Sequence, residues 1–244
     1  MTLDGGSSKN PYRFIRLKCY KNHSKKGVGM KIVAASKILK ANDALAAENR
    51  QRLTQAGVLA VNWMGSPGAG KTTLLEALAR YWQGRRKLAV IEGDVAGSID
   101  AQRMEALGLP VIQINTDGAC HLDANMIALA LQALPLETGE ILMIENVGNL
   151  VCTANFDLGE HLRIVILSTP EGDDKLVKYP TIFRTVHALV ISKTDLLPRA
   201  PFHAERVRED LRRLNPRAAF FLVSAAQGEG IAELAQWLQS HQVG

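Results

Sequence analysis

Short apolar runs recur along the chain from residue 58 onward, each followed by a longer stretch in which apolar positions return every three or four residues. The runs are VLAVNWM (58–64), KLAVIEG (87–93), PVIQIN (110–115), EILMIEN (140–146), LRIVILS (162–168), HALVIS (187–192) and AAFFLVS (218–224). They are continuously apolar rather than alternating, which predicts strands buried on both faces, as in a parallel sheet covered by helices. Seven strands alternating with helices predict an α/β fold: a doubly wound, mostly parallel seven-stranded sheet with helices on both faces. Ahead of the first strand, Ile38, Leu39, Ala41, Leu45, Ala46, Asn49 and Leu53 recur at helical spacing, so one amphipathic helix is expected from Lys37 to Ala56, stopping at Gly57. The run IAELAQWLQ predicts a closing helix near the C-terminus. In such sheets ligands sit at the carboxyl ends of the strands, and candidate chemistry is sought there.

Composition changes this picture little. With 244 residues, 47% hydrophobic and 22% charged, the chain is of an ordinary globular kind, and disordered and fibrous classes are excluded. The net charge of +5 suggests an acidic partner until its distribution is read. Lys9, Arg13, Arg16, Lys18, Lys21, Lys25 and Lys26 face only Asp4 in residues 1–29, so the remainder of the chain is nearly balanced and no nucleic-acid partner is expected. Residues 1–30 are read as a basic, disordered extension ending at a second methionine, Met30, and residues 31–244 as a single domain. Cys19, Cys120 and Cys152 form no C-x-x-C pair and no secretory signal precedes them, which points to a reducing cytoplasm. Cys19, in the basic segment, is read as inert. No apolar run approaches the roughly 18–20 residues of a membrane span, so no membrane partner is expected.

The first strand runs into Gly65-Ser66-Pro67-Gly68-Ala69-Gly70-Lys71-Thr72, a full G-x-x-x-x-G-K-T phosphate loop of the P-loop NTPases, and a helix follows at once. Gly65, Ser66, Gly68, Ala69, Gly70, Lys71, Thr72 and Thr73 are therefore candidate nucleotide-binding residues. Backbone N–H groups would face the phosphates, Lys71 would reach the β and γ oxygens, and the Thr72 hydroxyl would ligate Mg²⁺. Hydrolysis needs acids beside the phosphates, and Asp94 and Glu145 stand at the ends of runs expected to flank the first strand. With Lys71 they are the candidate catalytic residues, and with Thr72 the candidate Mg²⁺ ligands: Asp94 to orient water or hold Mg²⁺ through water, Glu145 in a Walker-B-like position. The motif alone does not divide these roles. Gly148, in E-N-V-G, resembles a switch glycine whose N–H senses the γ-phosphate.

Ser192-Lys193-Thr194-Asp195 resembles the N/T-K-x-D motif that reads guanine. An aspartate accepts from both N1–H and the exocyclic amine of guanine, whereas adenine offers no N1 donor, so GTP and GDP are preferred over ATP. Lys193 would lie along the base, and Ser224 and Ala225 in Ser-Ala-Ala would support its edge. Ser192 stands where asparagine is usual. Cys120 and His121 adjoin at the end of the third run, and Cys152 follows Glu145 by seven residues. Thiolate with imidazole suits zinc, nickel or copper, and three ligands leave an open position or one completed by a second chain.

Taken together, GSPGAGKTTLLEAL (65–78), EGDVAGSIDAQR (92–103), CHLDA (120–124), ENVGNLVCTANFDLGE (145–160), STPEGDDKLVKYP (168–180) and SKTDLLP (192–198) resemble the HypB-type hydrogenase maturation GTPases of the SIMIBI class, over roughly Lys31 to the C-terminus. The resemblance implies a GTPase that forms a GTP-dependent homodimer and holds Ni²⁺ or Zn²⁺ through Cys120, His121 and Cys152 at the subunit interface. It implies delivery of Ni²⁺ to the large subunit of nickel–iron hydrogenase, with a HypA-like zinc protein as partner. Neither the N-terminal cysteine motif nor the His-rich stretch of some members is present, so metal storage is not expected. Thr153 stands where the family usually has proline. Alternatives are a urease-type nickel GTPase, which would be expected to carry Cys-Pro-His, a P-loop kinase of small molecules, and a GTP switch with negligible turnover. No arginine is obviously placed as a finger, which implies slow intrinsic hydrolysis.

Overall fold

The computed structural model describes residues 35–94 and 99–243. The basic extension 1–30 with Cys19, and residues 95–98 within the EGDVAGSIDAQR stretch, lie outside them. All seven expected strands form, as β1 (Leu59–Gly65), β2 (Leu88–Asp94), β3 (Val111–Asn115), β4 (Ile141–Glu145), β5 (Leu162–Ser168), β6 (Ala188–Ser192) and β7 (Ala219–Leu222). They pair in one sheet of order β3-β2-β4-β1-β5-β6-β7, and every pairing is parallel. Continuous burial of β1, from Leu59 to Gly65, follows from this central place, with β4 and β5 on either side.

Helices cover both faces. On one, α2 (Lys71–Trp82), α3 (Ile99–Glu105) and α8 (Ile231–Gln239) bury Leu74, Leu78, Trp82, Met104, Leu234 and Leu238 against Val61, Trp63, Met143 and Ile164. On the other, α1 (Ala35–Gln55) and α4 (Ala124–Ala133) enclose Leu53, Ile127 and Leu131 over Ala89, Ile91 and Leu142. The short α5 (Lys175–Lys178) and α6 (Pro180–Phe183) pack with α7 (Ala204–Leu214) over Val165, Leu189 and Ile191.

The amphipathic helix expected at 37–56 is α1, and it carries two asparagines that are almost completely buried, Asn42 and Asn49. They join two segments distant in sequence. Asn42 accepts from Ala124 N at 2.9 Å and donates to Asp157 O at 2.8 Å. Asn49 Nδ2 donates to Ala124 O at 2.8 Å and Leu158 O at 3.0 Å, while Arg50 makes a two-pronged contact with Asp157 at 2.7 Å. The chain leaving Cys120 and His121 is thus fastened to the chain leaving Cys152. Asn49→Ala removes both buried donations and should lower stability by about 1–3 kcal/mol, read as a reduced urea midpoint at unchanged slope.

Candidate functional site

At the carboxyl end of β1 the chain turns through residues 65–70 into α2, with Gly70 at φ 88° as the helix N-cap. The loop borders a cleft of about 460 Å³ lined by Gly68, Gly70, Lys71, Thr72 and Thr73 together with Asp94, Glu145 and Gly148. Ser66 and Ala69 are tied within the loop, where Ala69 N donates to Ser66 O at 3.1 Å. Gly148 abuts this loop so closely that a Cβ there would lie 2.9 Å from Pro67 N, and the next residue, Asn149, makes an antiparallel bridge to Gly65. The segment leaving β4 is therefore in backbone contact with the phosphate loop.

The parallel register sets Glu92 of β2 beside Glu145 of β4. Glu145 Oε1 accepts from Thr72 Oγ1 at 2.9 Å, and Glu92 and Glu145 are each only 3% exposed. Burial raises the pKa of each above the usual carboxylate range; Glu145 raises Glu92 further, and Lys71 opposes the rise at Glu145. Two buried acids this close share a proton when nothing else neutralises them. Oε2 of each has no hydrogen-bond partner among the described residues, and a ligand oxygen from each of Glu92, Glu145 and Asp100 lies within 4.8 Å of the others. Unpartnered buried oxygens beside a phosphate loop and a threonine hydroxyl fit a divalent cation of the Mg²⁺ type. Asp94, expected in this role, lines the same cleft but is not one of that close group.

On the other side of β1, the end of β6 locks onto the phosphate loop. Ser192 Oγ donates to Ala69 O at 2.6 Å and Lys193 Nζ to Gly68 O at 2.7 Å. Lys193 adopts φ 57°, a left-handed conformation that costs a non-glycine residue about 1 kcal/mol or more, and Thr169 Oγ1 holds its carbonyl at 2.8 Å. Asp195 Oδ1 accepts from Ser224 Oγ at 2.7 Å, so the Ser224-Ala225 loop orients the carboxylate that would read the base.

The loops leaving β3 and β4 bring Cys120, His121 and Cys152 together, with ligand atoms within 4.8 Å of one another. Cys120 Sγ lies 3.6 Å from His121 Nδ1, and a hydrogen bond to the Cys152 thiol raises the Cys120 pKa. Burial lowers the His121 pKa, favouring the neutral imidazole that a metal requires, and its ring stacks on Phe156 at 3.8 Å. Asn149 Oδ1 accepts from Cys152 N at 3.1 Å, so the residue that bridges to Gly65 also sets the start of the Cys152 turn. The three side chains can hold a soft or borderline metal with a position left open.

Residues 59–222, from the first strand to the last, match the family model described as "CobW/HypB/UreG, nucleotide-binding domain". The chain is 44% identical over 228 residues to the "Hydrogenase/urease maturation factor HypB" of Helicobacter hepaticus, covering 92% of both chains. The chain belongs to the HypB members of this family. It is also 44% identical over 205 residues to the "Hydrogenase maturation factor HypB" of Escherichia coli K12, covering 84% of this chain and 71% of that one. Among solved structures it is similar to "HypB from Helicobacter pylori in complex with nickel", with TM-score 0.77 and 41% identity over 82% of this chain and 94% of that one. HypB from Archaeoglobus fulgidus gives TM-score 0.77 at 37% identity, covering 82% and 98%.

Both departures from the HypB pattern have local partners: Ser192 bonds the phosphate loop, and Thr153 Oγ1 donates to Asn149 O at 2.7 Å. Sequence reasoning missed Glu92, although a carboxylate two residues before the end of a strand whose preceding residues are all apolar was a legible signal. It also missed Asp100 and Arg103, which line the cleft from α3. Arg103 is held by Glu76 at 2.9 Å and Asp100 at 3.1 Å, so its guanidinium is committed within the protein.

A carboxyl with a raised folded pKa holds a proton that the unfolded chain releases, so its contribution is undiminished below the ordinary Glu value of 4.5 and falls as pH rises toward the folded value. In the ligand-free protein, Glu92→Gln should therefore raise stability at pH 8 by about 1–3 kcal/mol and flatten its decline with pH, as measured by urea unfolding. Asp195→Asn should weaken GTP binding roughly 10- to 100-fold and favour xanthosine triphosphate, whose C2 carbonyl accepts from the new amide, in a competition assay.

Proposed function

We propose that the protein is a GTP-hydrolysing metallochaperone that carries Ni²⁺, with Zn²⁺ as the competing ion, during maturation of nickel–iron hydrogenase. The observation that carries this reading is the meeting of two sites at one sheet edge: Asn149 pairs with Gly65 of the phosphate loop and also accepts from Cys152 N. A nucleotide-dependent change at the phosphate loop therefore bears directly on a metal ligand.

In the reaction, water attacks the γ-phosphate of GTP and leaves GDP and inorganic phosphate. Backbone N–H groups of 65–70 and Lys71 hold the phosphates, Gly148 N–H meets the γ-phosphate, and Asp94 orients the water. Thr72 and Glu145, joined by Glu92 and Asp100, would hold Mg²⁺, which supplies charge neutralisation on the phosphates. Lys193 and Asp195 take the guanine, with Ser224 and Ala225 at its edge. Arg103 lines the cleft but is engaged by Glu76 and Asp100, so intrinsic turnover is expected to be slow.

The cargo ion is held by Cys120, His121 and Cys152 and completed across a two-fold axis in a GTP-dependent homodimer. Val151, 56% exposed beside Cys152, and Ile99, 73% exposed at the start of α3, supply apolar surface of the kind a second chain covers. A HypA-like zinc protein and the hydrogenase large subunit are the partners in delivery, in a cytoplasm that keeps the thiols free. No described helix is long and apolar enough to cross a membrane. Urease is a second destination for the same ion, favoured by the name "Hydrogenase/urease maturation factor HypB" given to the Helicobacter relatives.

Titrating Ni²⁺ and Zn²⁺ into protein loaded with GDP or a non-hydrolysable GTP analogue tests this reading. About one ion per two chains is expected, with the dimer favoured by the analogue. Cys120→Ala and Cys152→Ala should each weaken binding roughly 10-fold or more. Full metal binding by Cys152→Ala would contradict the ligand set, and absence of metal binding in either nucleotide state would contradict the chaperone reading.

A further inference from the structure

The coupling proposed above runs through Cys152, on the loop that leaves Glu145. Cys120 and His121 stand on a different loop, leaving β3, and the next residue, Leu122, joins that loop to the nucleotide cleft by two contacts. Its backbone N–H donates to Asn146 Oδ1 at 3.2 Å, and the same oxygen accepts from Val147 N at 3.0 Å. Asn146 lies between Glu145 and the Val147-Gly148 segment, and all of these line the cleft. The other end of its amide is anchored, because Nδ2 donates to Asn62 Oδ1 of β1 at 3.2 Å. The second contact is steric. The fully buried Leu122 side chain closes over Gly93, where an added Cβ would lie 2.7–2.8 Å from three of its carbons. Gly93 separates Glu92 from Asp94 on β2.

Leu122 is therefore gripped by both acid-bearing strand ends at once. Gly93 leaves it no slack, and close-packed interiors pass on displacements of this kind instead of absorbing them. The Asn146 oxygen is shared between the metal loop and the segment that would meet the γ-phosphate, so movement of Val147 alters the bond left for Leu122.

We propose that Asn146 is a positioning residue which, through Leu122 seated on Gly93, transmits the nucleotide state to Cys120 and His121. All three metal ligands then respond to the nucleotide, two through Leu122 and one through Asn149. This rests on the nucleotide-dependent metal binding proposed above and names its second route. A route of this kind is established by measured coupling, not by adjacency.

The experiment compares Ni²⁺ dissociation constants in the GDP and non-hydrolysable GTP states for the full chain and for Asn146→Ala, with the thiolate-to-nickel charge-transfer absorption recorded throughout. In the unsubstituted chain the two constants should differ, by roughly 5-fold or more. In Asn146→Ala their ratio should shrink several-fold, and the absorption should become alike in the two states. A variant that binds nickel more weakly but by the same factor in both states, with the original ratio intact, would make Asn146 merely structural and overturn the proposal. Equal constants in the unsubstituted chain would instead overturn the coupling on which it rests. Hydrogen exchange on the unsubstituted chain gives a readout that does not depend on the variant folding. The Leu122 amide should exchange several-fold more slowly with the GTP analogue than with GDP, whereas equal protection would overturn the proposal.

Discussion

Two carboxylates, Glu92 and Glu145, are buried side by side next to the phosphate loop, and much of this sheet edge is arranged around them. A pair of acids in such a place is costly unless a proton or a cation lies between them. Thr72 satisfies one oxygen of Glu145, Lys71 opposes the rise in its pKa, and Oε2 of each acid has no hydrogen-bond partner among the described residues. The parallel register that pairs Glu92 with Glu145 also fixes Gly93 and Asn146, the residues that follow them. The acid cluster and the contacts of the loop carrying Cys120 and His121 are thus set by the same two strand ends.

That arrangement explains why the phosphate loop and the candidate metal ligands Cys120, His121 and Cys152 share one edge. The central strand delivers the phosphate loop, and its neighbours deliver the acids and the loops that carry the thiols and the imidazole. Packing on the far side of the sheet keeps those loops together: Asn42 and Asn49 of α1 fasten the start of α4 to residues 157–158. The helix before the first strand is therefore part of the support of the candidate metal site, although it contributes none of the three candidate ligands.

The strands were legible because burial on both faces leaves a continuous apolar run, and only their ends differ. The seventh run was expected to reach 224, but β7 stops at Leu222, and Ser224 turns away to bridge Glu229. The phosphate loop and the S-K-T-D stretch were legible because each chemistry demands particular residues at fixed spacing, and Cys120, His121 and Cys152 because thiols and an imidazole stand together at the ligand edge of the sheet. Glu92 was passed over in favour of Asp94 because the motif was read at the strand's last residue, while the buried acid sits two residues earlier. Leu122 and Asn146 were not legible at all. Their importance comes from a hydrogen bond spanning 24 positions and a contact on a glycine, and local spacing records neither.

In the proposed function the nucleotide and the metal act on each other through this shared edge. Equilibrium linkage requires the effect to be reciprocal. The most direct measurement is the affinity of the protein for a non-hydrolysable GTP analogue and for GDP, each with and without saturating Ni²⁺. Nickel should shift the ratio of the two nucleotide affinities by the same factor by which the nucleotide shifts nickel affinity. A ratio unchanged by saturating nickel would contradict it.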